Sequence, residues 1–350
     1  MAALTYKRPV ETSKASFVLL MHDVSIVIPN WNGRELLHRF LPSALNAANR
    51  YQEQFGQETE IVVVDDGSTD DSVEWFKKEY VHDPLMRLVV RDHNGGFVPA
   101  ANSGFAAARH RIVFLINNDV GLSPDAIAPL VRHFEDERVF AVCSRALRIE
   151  TNELDGAGKL GSFKNGFWRV FENYEVRDEH ESRPGERWPS FFGSGGYTAY
   201  DAKKLSLLGG FNELLAPYYW EDVEVCYRAW KHGWVVEYEP ASTVYHLGSA
   251  TMKKEIAESK LKVVAERNRL LMTWVNLHDP FWFISHVAWL GLKLLGAALT
   301  LDLPMWRSFF QAVGRLPKVL PARRMEKSSA VRSDREIAAI FEKLEAGTSS

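Results

Sequence analysis

Short apolar runs alternate with amphipathic stretches over residues 24–132. Four of these runs are apolar on both faces, a pattern typical of buried strands in a parallel sheet that helices cover. They are Ser25–Pro29, Glu60–Asp66, Arg87–Arg91 and Arg111–Asp119. The stretches between them predict helices at Glu35–Ala48, from a Ser68 or Thr69 cap through Phe76, at Phe97–Arg109, and from a Ser123 cap onward. This alternation predicts an α/β domain built from right-handed βαβ units.

The pattern weakens beyond residue 150. Residues 151–190 predict only a variable loop or small hairpins. Further elements are predicted at Asp201–Leu208 and Glu221–Lys231 (helices), Trp234–Glu237 and Thr243–His246 (strands), from near Met252 onward (a long helix), and Asp334–Leu344 (a surface helix). We therefore expect a lead-in over residues 1–22, the α/β domain over 23–250, a helical region over 251–327 and a charged tail over 328–350.

Composition narrows the class of protein. The 350 residues are 46% hydrophobic and 25% charged, which excludes a disordered or fibrous chain. Forty-two basic and 45 acidic residues give a net charge of −3, so the chain lacks the overall basic field expected of a nucleic-acid binder. Two cysteines provide neither a disulfide framework nor a cysteine zinc site, and they favour a reducing compartment. Phe17–Met21 is too short for a secretory signal, so we expect a cytoplasmic protein.

One segment approaches membrane length. Phe281–Leu301 is apolar apart from Lys293, and a basic stretch, residues 307–327, follows it. Three interpretations are open: a helix lying in the membrane interface, a single span, and a buried packing helix. Lys293 and the glycines at 291 and 296 disfavour a clean span, whereas tryptophans beside basic residues favour the interface.

Polar residues follow the predicted strands where parallel sheets collect ligands. Asp65 and Asp66 end one strand, and Asn117, Asn118 and Asp119 end another. Carboxylates at such positions accept hydrogen bonds from a base or ribose, or bind a hard divalent cation. The alternative is purely structural, because Asp, Asn and Ser also form Asx turns and helix caps.

A third candidate is the segment from Tyr218 to Asp222. Glu221 and Asp222 begin a predicted helix directly after three aromatic residues, so the helix dipole favours an ionised carboxylate beside an aromatic wall. Such a carboxylate can act as a general base, although acidic residues also stabilise the first turn of many helices. His246, at a strand end, is a possible ligand of manganese or a similar ion, but a lone histidine is more often structural.

These motifs together resemble a known family. DDGSTD from Asp65, NGGFVPAANSG from Asn94, NND from Asn117, GGFNE from Gly209, WED from Trp220 and a later histidine are similar in order to the inverting family-2 glycosyltransferases of the GT-A fold. The resemblance covers about residues 24–250. The NGGF and WED portions are most similar to the bacterial rhamnosyltransferase-type branch.

The resemblance implies a role for each matching residue. Donor binding is implied for Pro29, Asn30, Asn32, Asp65, Asp66, Asn94, Gly96, Asn102 and Asn118; metal binding for Asp119 and His246; catalysis for Asp222 as base with Glu221 beside it; and acceptor binding for Trp220, Tyr219 and Gly195. The family's two-carboxylate D-x-D slot reads Asn117-Asn118-Asp119 here. Only one carboxylate is then available to the metal, which implies a weaker metal site.

The implied activity is metal-dependent transfer, with Mn²⁺ or Mg²⁺, of a sugar such as rhamnose from a nucleotide-diphosphate donor. The acceptor is a lipid-linked or polysaccharide hydroxyl in bacterial surface glycan synthesis, and the place is the inner face of the cell membrane, with peripheral attachment. No nucleic-acid partner is expected, and the oligomeric state is open. A non-catalytic nucleotide-sugar-binding or scaffolding component is the alternative. A nicotinamide oxidoreductase is disfavoured because PNWNGRE stands where G-x-G-x-x-G would be required.

Overall fold

The computed structural model describes residues 21–175, 187–248 and 257–348. Most of the predicted lead-in, residues 1–20, lies outside this range, as does the predicted helix start near Met252. The strands of the main sheet are β1 (Val24–Asn30), β2 (Thr59–Asp65), β3 (Met86–Val90), β4 (Ile112–Ile116), β5 (Val120–Leu122), β6 (Val139–Arg148), β7 (Leu154–Gly156), β12 (Trp188–Pro189), β13 (Tyr197–Asp201) and β14 (Val235–His246). The helices of the same region are α1 (Arg34–Phe55), α2 (Ser72–Tyr80), α3 (Phe97–Ala107), α4 (Ile127–Arg132), α5 (Ala202–Leu207) and α6 (Glu221–Lys231).

The sheet is mixed and mostly parallel, as the α/β prediction requires. Its order is β12-β14-β6-β13-β4-β1-β2-β3, with β5 paired to β14 and β7 paired to β6. The four predicted strands form the parallel half: β1 pairs with β2 and β4, and β2 with β3. Asn30 stands opposite Asp65 at the paired ends of β1 and β2, so polar residues from two segments meet at one edge.

Helices cover both faces of this sheet. Val24, Ile26 and Ile28 of β1 belong to one apolar core with α1, whereas Val27 belongs to the other with α3. A strand that is buried on both sides in this way needs apolar residues at every position, which is why its sequence shows no alternation.

The predicted caps of α2 and α4 are wrong. Helix α2 starts at Ser72 after Asp71, because Ser68 and Thr69 are engaged in the preceding turn with Asp65 and Asn32. Helix α4 begins at Ile127 without a side-chain cap.

The two strands predicted after residue 233 are one strand, β14, whose pairing with β6 shifts register between Glu239 and Thr243.

Residues 151–175 form the small hairpins that the sequence only suggested. Strands β9 (Ser162–Lys164) and β10 (Phe167–Arg169) pair with each other, and β8 (Gly158–Lys159) pairs with β11 (Asn173–Tyr174). Phe163 stacks on Trp282 with ring centroids 4.5 Å apart, so the hairpins connect the sheet domain to the helices that follow it.

The C-terminal helices are α7 (Glu258–Asn276), α8 (Pro280–Leu299), α9 (Leu303–Val313), α10 (Leu316–Ser329) and α11 (Asp334–Thr348). The predicted surface helix exists as α11, but one face of it is buried through Ile337, Ala338 and Phe341. Its first residue, Asp334, forms a buried ion pair with Lys231 of α6, with Nζ and Oδ1 2.6 Å apart. The charged tail is thus packed on the α/β domain.

Helix α8 carries the apolar segment of membrane length. It has 20 residues and a mean hydropathy of 1.4, and 17% of its most apolar stretch is buried. His286, Leu290 and Ala297 form its buried stripe. Most of the helix therefore faces away from the protein, which disfavours a buried packing helix.

Candidate active site

A cavity of about 640 Å³ opens at the edge of the sheet where β1 and β4 end. The loops after both strands and the start of α6 contribute to its wall. Twelve of the predicted site residues line it: Pro29, Asn30, Asp66, Asn94, Gly96, Asn118, Asp119, Gly195, Tyr219, Glu221, Asp222 and His246. Residues that are up to 217 positions apart in the sequence (29 to 246) thus share one cavity, and its volume suits a nucleotide-sized ligand.

The first wall of the cavity is an amide network. The Asn118 side chain donates to Oδ1 of Asn30 at 2.8 Å, and Asn30 in turn donates to Asp65 at 3.2 Å. A Cβ atom on Gly33 would lie 2.3 Å from the Asn118 amide nitrogen, so this network requires glycine there. Asn32 has a different place: its Oδ1 accepts the backbone N–H of Thr69 at 2.7 Å and holds the turn after β2.

The two aspartates after β2 have distinct surroundings. Asp65 is 1% exposed and accepts hydrogen bonds from the Ser68 backbone and hydroxyl at 2.9 and 2.6 Å, which places it behind the cavity wall. Asp66 is on the wall, where its carboxylate accepts Nε of Arg91 at 2.7 Å and the backbone N–H of Gly96 at 2.7 Å. Base binding by Asp65 or Asp66 stays a prediction: Asp66 lines the cavity, but its carboxylate is already held by Arg91, Gly95 and Gly96.

The NGGF segment contributes Asn94 and Gly96 to the cavity. Gly96 has φ 91°, and a Cβ there would lie 2.3 Å from Cβ of Pro217, so only glycine fits. Asn102 has a structural role instead. Its side chain donates to the carbonyl of Phe211 and accepts the Phe211 N–H, both at 2.9 Å, which fixes the Gly209–Glu213 turn against α3.

Asp119 and His246 meet on the opposite side of the cavity. Because β14 pairs with β5, His246 stands opposite Val120, and its Nε2 lies 3.6 Å from Oδ1 of Asp119. Nδ1 of His246 contacts Asp155 at 2.7 Å. Burial alone would lower the pKa of His246, but Asp119 and Asp155 outweigh burial and raise it.

Asp119 and His246 together are a candidate cation site. In the described parts of the chain, no group of three or more His, Cys, Asp or Glu side chains is arranged to enclose a metal. Two protein donors with a carboxylate behind the imidazole nevertheless fit an ion that takes its other ligands from water and phosphate oxygens, as Mg²⁺ and Mn²⁺ do. The weaker metal site stays a prediction.

Glu221 and Asp222 begin α6 at the far end of the cavity. Asp222 accepts the backbone N–H of Gly195 at 3.0 Å and that of Val223 at 2.8 Å. Burial raises the pKa of Asp222. Burial and then the charge of Asp222 raise the pKa of Glu221 well above its ordinary value. Two adjacent acids with raised pKa values in a cleft are typical of an acid–base site.

A second cavity, of about 710 Å³, lies beyond these two acids. It shares Ser194, Tyr219, Glu221 and Asp222 with the first, so the acids form part of a common wall. Of the predicted acceptor residues, Trp220 lines the second cavity, Gly195 the first, and Tyr219 both. The arrangement can hold two ligands whose reacting groups meet at Asp222.

The loop before the acids is fixed by residues that the sequence analysis missed. Tyr219 and Trp220 have φ values of 74° and 72°, which are strained for non-glycine residues. The Asn268 amide of α7 donates to the carbonyls of Leu215, Tyr218 and Tyr219. The sequence does indicate a buried role for Asn268, because this polar residue lies between Val264 and Leu271 on the apolar face of its helix.

Comparison with known proteins identifies the family. The family model described as Glycosyl transferase family 2 matches residues 25–206. Polypeptide N-acetylgalactosaminyltransferase 6 of Mus musculus is 22% identical over 234 residues, which is 64% of this chain and 38% of that protein. Hyaluronan synthase of Pasteurella multocida is 31% identical over 133 residues, 38% of this chain and 13% of that protein. The chain thus spans well under half the length of these two relatives.

A solved structure extends the likeness in fold. The mannosyltransferase PcManGT of Pyrobaculum calidifontis, in complex with GDP-Man and Mn²⁺, has a TM-score of 0.51 at 17% identity, and the match covers 87% of each chain. The GT-A prediction is therefore confirmed for the fold. The family match spans more than half of the 350 residues and includes the cavity-lining segments from Pro29 to Gly196. This chain belongs to Glycosyl transferase family 2.

Proposed function

We propose that this chain is an inverting glycosyltransferase that uses a nucleotide-diphosphate sugar. One observation carries the proposal: Asp222 stands in the wall shared by two cavities, with its carboxylate held by the N–H groups of Gly195 and Val223. A donor in the first cavity and an acceptor in the second would approach it from opposite sides. The non-catalytic alternative leaves this placement of Asp222 without a purpose.

The reaction follows from that placement. An acceptor hydroxyl in the second cavity transfers its proton to Asp222, and its oxygen attacks the anomeric carbon from the face opposite the nucleotide. The bond between that carbon and the diphosphate oxygen breaks, so the configuration inverts and nucleoside diphosphate leaves. The transition state has oxocarbenium character, as in glycoside hydrolysis. The raised pKa of Asp222 makes its carboxylate a stronger proton acceptor than an exposed aspartate.

Asp119 and His246 would hold a divalent ion, Mn²⁺ or Mg²⁺, at the diphosphate end of the donor. When bound, such an ion neutralises charge on the leaving diphosphate. The donor set supports this, as does the Mn²⁺ in the PcManGT complex. Loss of activity in EDTA that added Mn²⁺ or Mg²⁺ restores would support the ion. Full activity in the chelator would refute it.

The proposals for the donor sugar and the acceptor rest on sequence motifs. The NGGF and WED segments resemble the rhamnosyltransferase-type branch, whereas the relatives above are named for N-acetylgalactosamine, hyaluronan and mannose. We therefore propose rhamnose as the first donor sugar to test, within a panel of deoxythymidine, uridine and guanosine diphosphate sugars. The proposed acceptor is a hydroxyl of a lipid-linked or polysaccharide glycan of the bacterial surface.

We further propose that α8 lies in the inner face of the cell membrane, with the protein in the cytoplasm. Its exposed side carries large apolar residues: Phe281, Ile284, Val287, Trp289, Leu292, Leu295 and Leu299. Exposed Arg307, Lys318, Arg324 and Lys327 follow on α9 and α10, a charge pattern that suits anionic lipid headgroups. The helix also stands beside the second cavity, since Lys293 pairs with the cavity residue Glu266 at 2.7 Å.

Vesicle flotation tests the membrane proposal. The protein should float with phosphatidylglycerol vesicles and less with phosphatidylcholine vesicles. Leu292→Glu combined with Leu295→Glu should abolish flotation. The control is Leu207→Glu, at a leucine on α5 that is more exposed than either of these two. Equal flotation of all three proteins, or none by the native chain, would contradict the proposal.

Nucleotide release tests the catalytic proposal. Glycosyltransferases slowly pass their sugar to water, so incubation with the correct donor and Mn²⁺ should release nucleoside diphosphate. Asp222→Asn should bind the same nucleotide but release none above background. Binding of a nucleotide sugar without any release by the native chain, with acceptor extracts present, would favour the non-catalytic alternative.

A further inference from the structure

Three basic residues of the second cavity have no part in the proposed reaction. Lys159, Arg169 and Arg269 all line it. Of the carboxylates on the same wall, Glu221 and Asp222 belong to the catalytic end, and Glu266 is already paired with Lys293. Glu172 is exposed. Among the described residues, none of the three basic groups has a carboxylate within ion-pair distance.

Lys159 is the most buried of the three. Its side chain reaches Oδ1 of Asn173 on the neighbouring strand β11 at 2.5 Å, and its ammonium lies 5.8 Å from the centre of the Phe192 ring. The residue is 9% exposed. Burial lowers the pKa of this ammonium, although the charges of Asp222 and Asp155 act in the opposite direction. A buried cation without a carboxylate at ion-pair distance is unfavourable, and an anionic ligand would compensate it.

Arg269 lies on α7 at the aromatic side of the same cavity. Its guanidinium stands 4.6 Å from the Phe167 ring centre and 5.8 Å from that of Trp220, and it donates one hydrogen bond to the Trp168 carbonyl at 3.1 Å. Its Nε is buried and has no hydrogen-bond partner among the described residues. Such a fixed guanidinium, with donors left over, is suited to a phosphate or carboxylate.

We propose that the second cavity binds an acceptor carrying a negatively charged group, a phosphate or a carboxylate, next to the accepting sugar, and that Lys159 and Arg269 bind that group. Trp220 and the exposed ring of Phe171 provide a surface for the sugar. The inference rests on the proposed function, because it assigns the acceptor side of the same site. It adds the charge of the acceptor, which the family match leaves open.

Two probe pairs test the charge. Hexyl β-D-glucuronide and hexyl β-D-glucoside differ only in a carboxylate, and glucose 1-phosphate and methyl α-D-glucoside represent a phosphate and its neutral counterpart. Calorimetric titrations use the full chain with the first cavity saturated by nucleoside diphosphate and Mn²⁺. At least one anionic probe should bind about tenfold or more tightly than its neutral partner, which corresponds to about 1.4 kcal/mol. The pair that discriminates identifies the anionic group.

Substitutions show which residues cause the preference for the anionic probe. Lys159→Gln and Arg269→Gln should each reduce the preference to within about threefold. Lys262→Gln, an exposed position on the same helix as Arg269, should retain it. Arg269→Lys keeps the charge and should retain more of the preference than Arg269→Gln. If Arg269→Gln does not fold, Lys159→Gln carries the test.

Three results would overturn the inference: equal affinity for the charged and neutral members of both pairs, no binding of any probe by the native chain, or a preference that survives in both glutamine variants. Failure of the proposed function is a separate result. It would appear as absent nucleotide binding or absent nucleotide release by the native chain, and both are measured separately, without the probes.

Discussion

Replacing Asp222 by Asn separates catalysis from binding. The change removes one charge and keeps the shape of the side chain. Oδ1 can still accept one of the two backbone N–H groups that the carboxylate now accepts from Gly195 and Val223, while the new NH₂ faces the other. The donor cavity, with Asp66 and Asp119 on other parts of its wall, is unchanged. We therefore expect nucleoside diphosphate affinity to stay within about threefold of the native value.

The expected loss of rate is that of a general base. Positioned acid–base groups contribute about 10²- to 10⁴-fold, so the transfer rate should fall by a factor in that range. Two effects on stability oppose each other. One backbone N–H is left without an acceptor, which costs about 1–3 kcal/mol, but a buried charge is removed as well. Because burial raises the pKa of Asp222, its ionised form is disfavoured in the folded state and lowers stability as pH rises through that pKa. Because the two effects oppose each other, thermal unfolding at pH 7 should show a change in unfolding free energy below about 3 kcal/mol.

The pH profile provides an independent check. The base works when ionised, so the native rate should rise with pH, and the midpoint of the rise should lie above 3.8, the ordinary value for an aspartate. Glu221→Gln is the matched control, since it removes the neighbouring buried acid and leaves Asp222 in place. Nucleotide release by the Asp222→Asn variant at a near-native rate would refute the assignment of the base. If the Glu221→Gln variant alone lost activity, Glu221 would be the base.

Three further predictions concern the ion, the loop and the core. Asp119→Asn should weaken nucleoside diphosphate binding in the presence of Mn²⁺ and leave it unchanged in EDTA; equal weakening in both titrations would contradict an ion at this position. Asn268→Leu leaves three buried carbonyls without their donor, and an unsatisfied group costs about 1–3 kcal/mol. The midpoint of urea unfolding and the rate of sugar transfer should therefore both fall. An unchanged midpoint would show that the loop before α6 is held by other contacts. Asp334→Ala leaves the ammonium of Lys231 buried without its carboxylate and should destabilise the chain by about 3–5 kcal/mol in the same assay; a loss under about 1 kcal/mol would mean that α11 is not packed as described.

The parallel half of the sheet could be predicted from the sequence, because strands that are buried on both faces consist of consecutive apolar residues. β1 to β4 lie within three residues of their predicted bounds. The order of the strands could not be read, because pairing depends on contacts between distant segments. β13, inserted antiparallel between β4 and β6, carries no local mark of its partners.

Only part of the candidate site could be predicted, because local sequence does not show which polar residues face a ligand. Asp119, Asp222 and His246 line one cavity, although they lie on three separate segments. Asn32 and Asn102, by contrast, satisfy backbone groups of neighbouring turns. Asn and Asp form such hydrogen bonds as readily as they bind ligands, and composition alone cannot separate the two uses.

The basic wall of the second cavity was not predicted. Lys159 comes from a two-residue strand and Arg269 from the middle of a helix, and only the fold brings them together. Likewise, the many charged residues of α11 led to the prediction of a surface helix, although Ile337, Ala338 and Phe341 form a buried apolar face.

A crystal structure of the full chain with nucleoside diphosphate and Mn²⁺ would show where the donor binds relative to Asp222. We expect an ion between Asp119, His246 and the diphosphate, with the terminal phosphate turned toward Asp222 in the first cavity. A nucleotide bound elsewhere, or a diphosphate turned away from the wall that the two cavities share, would contradict it.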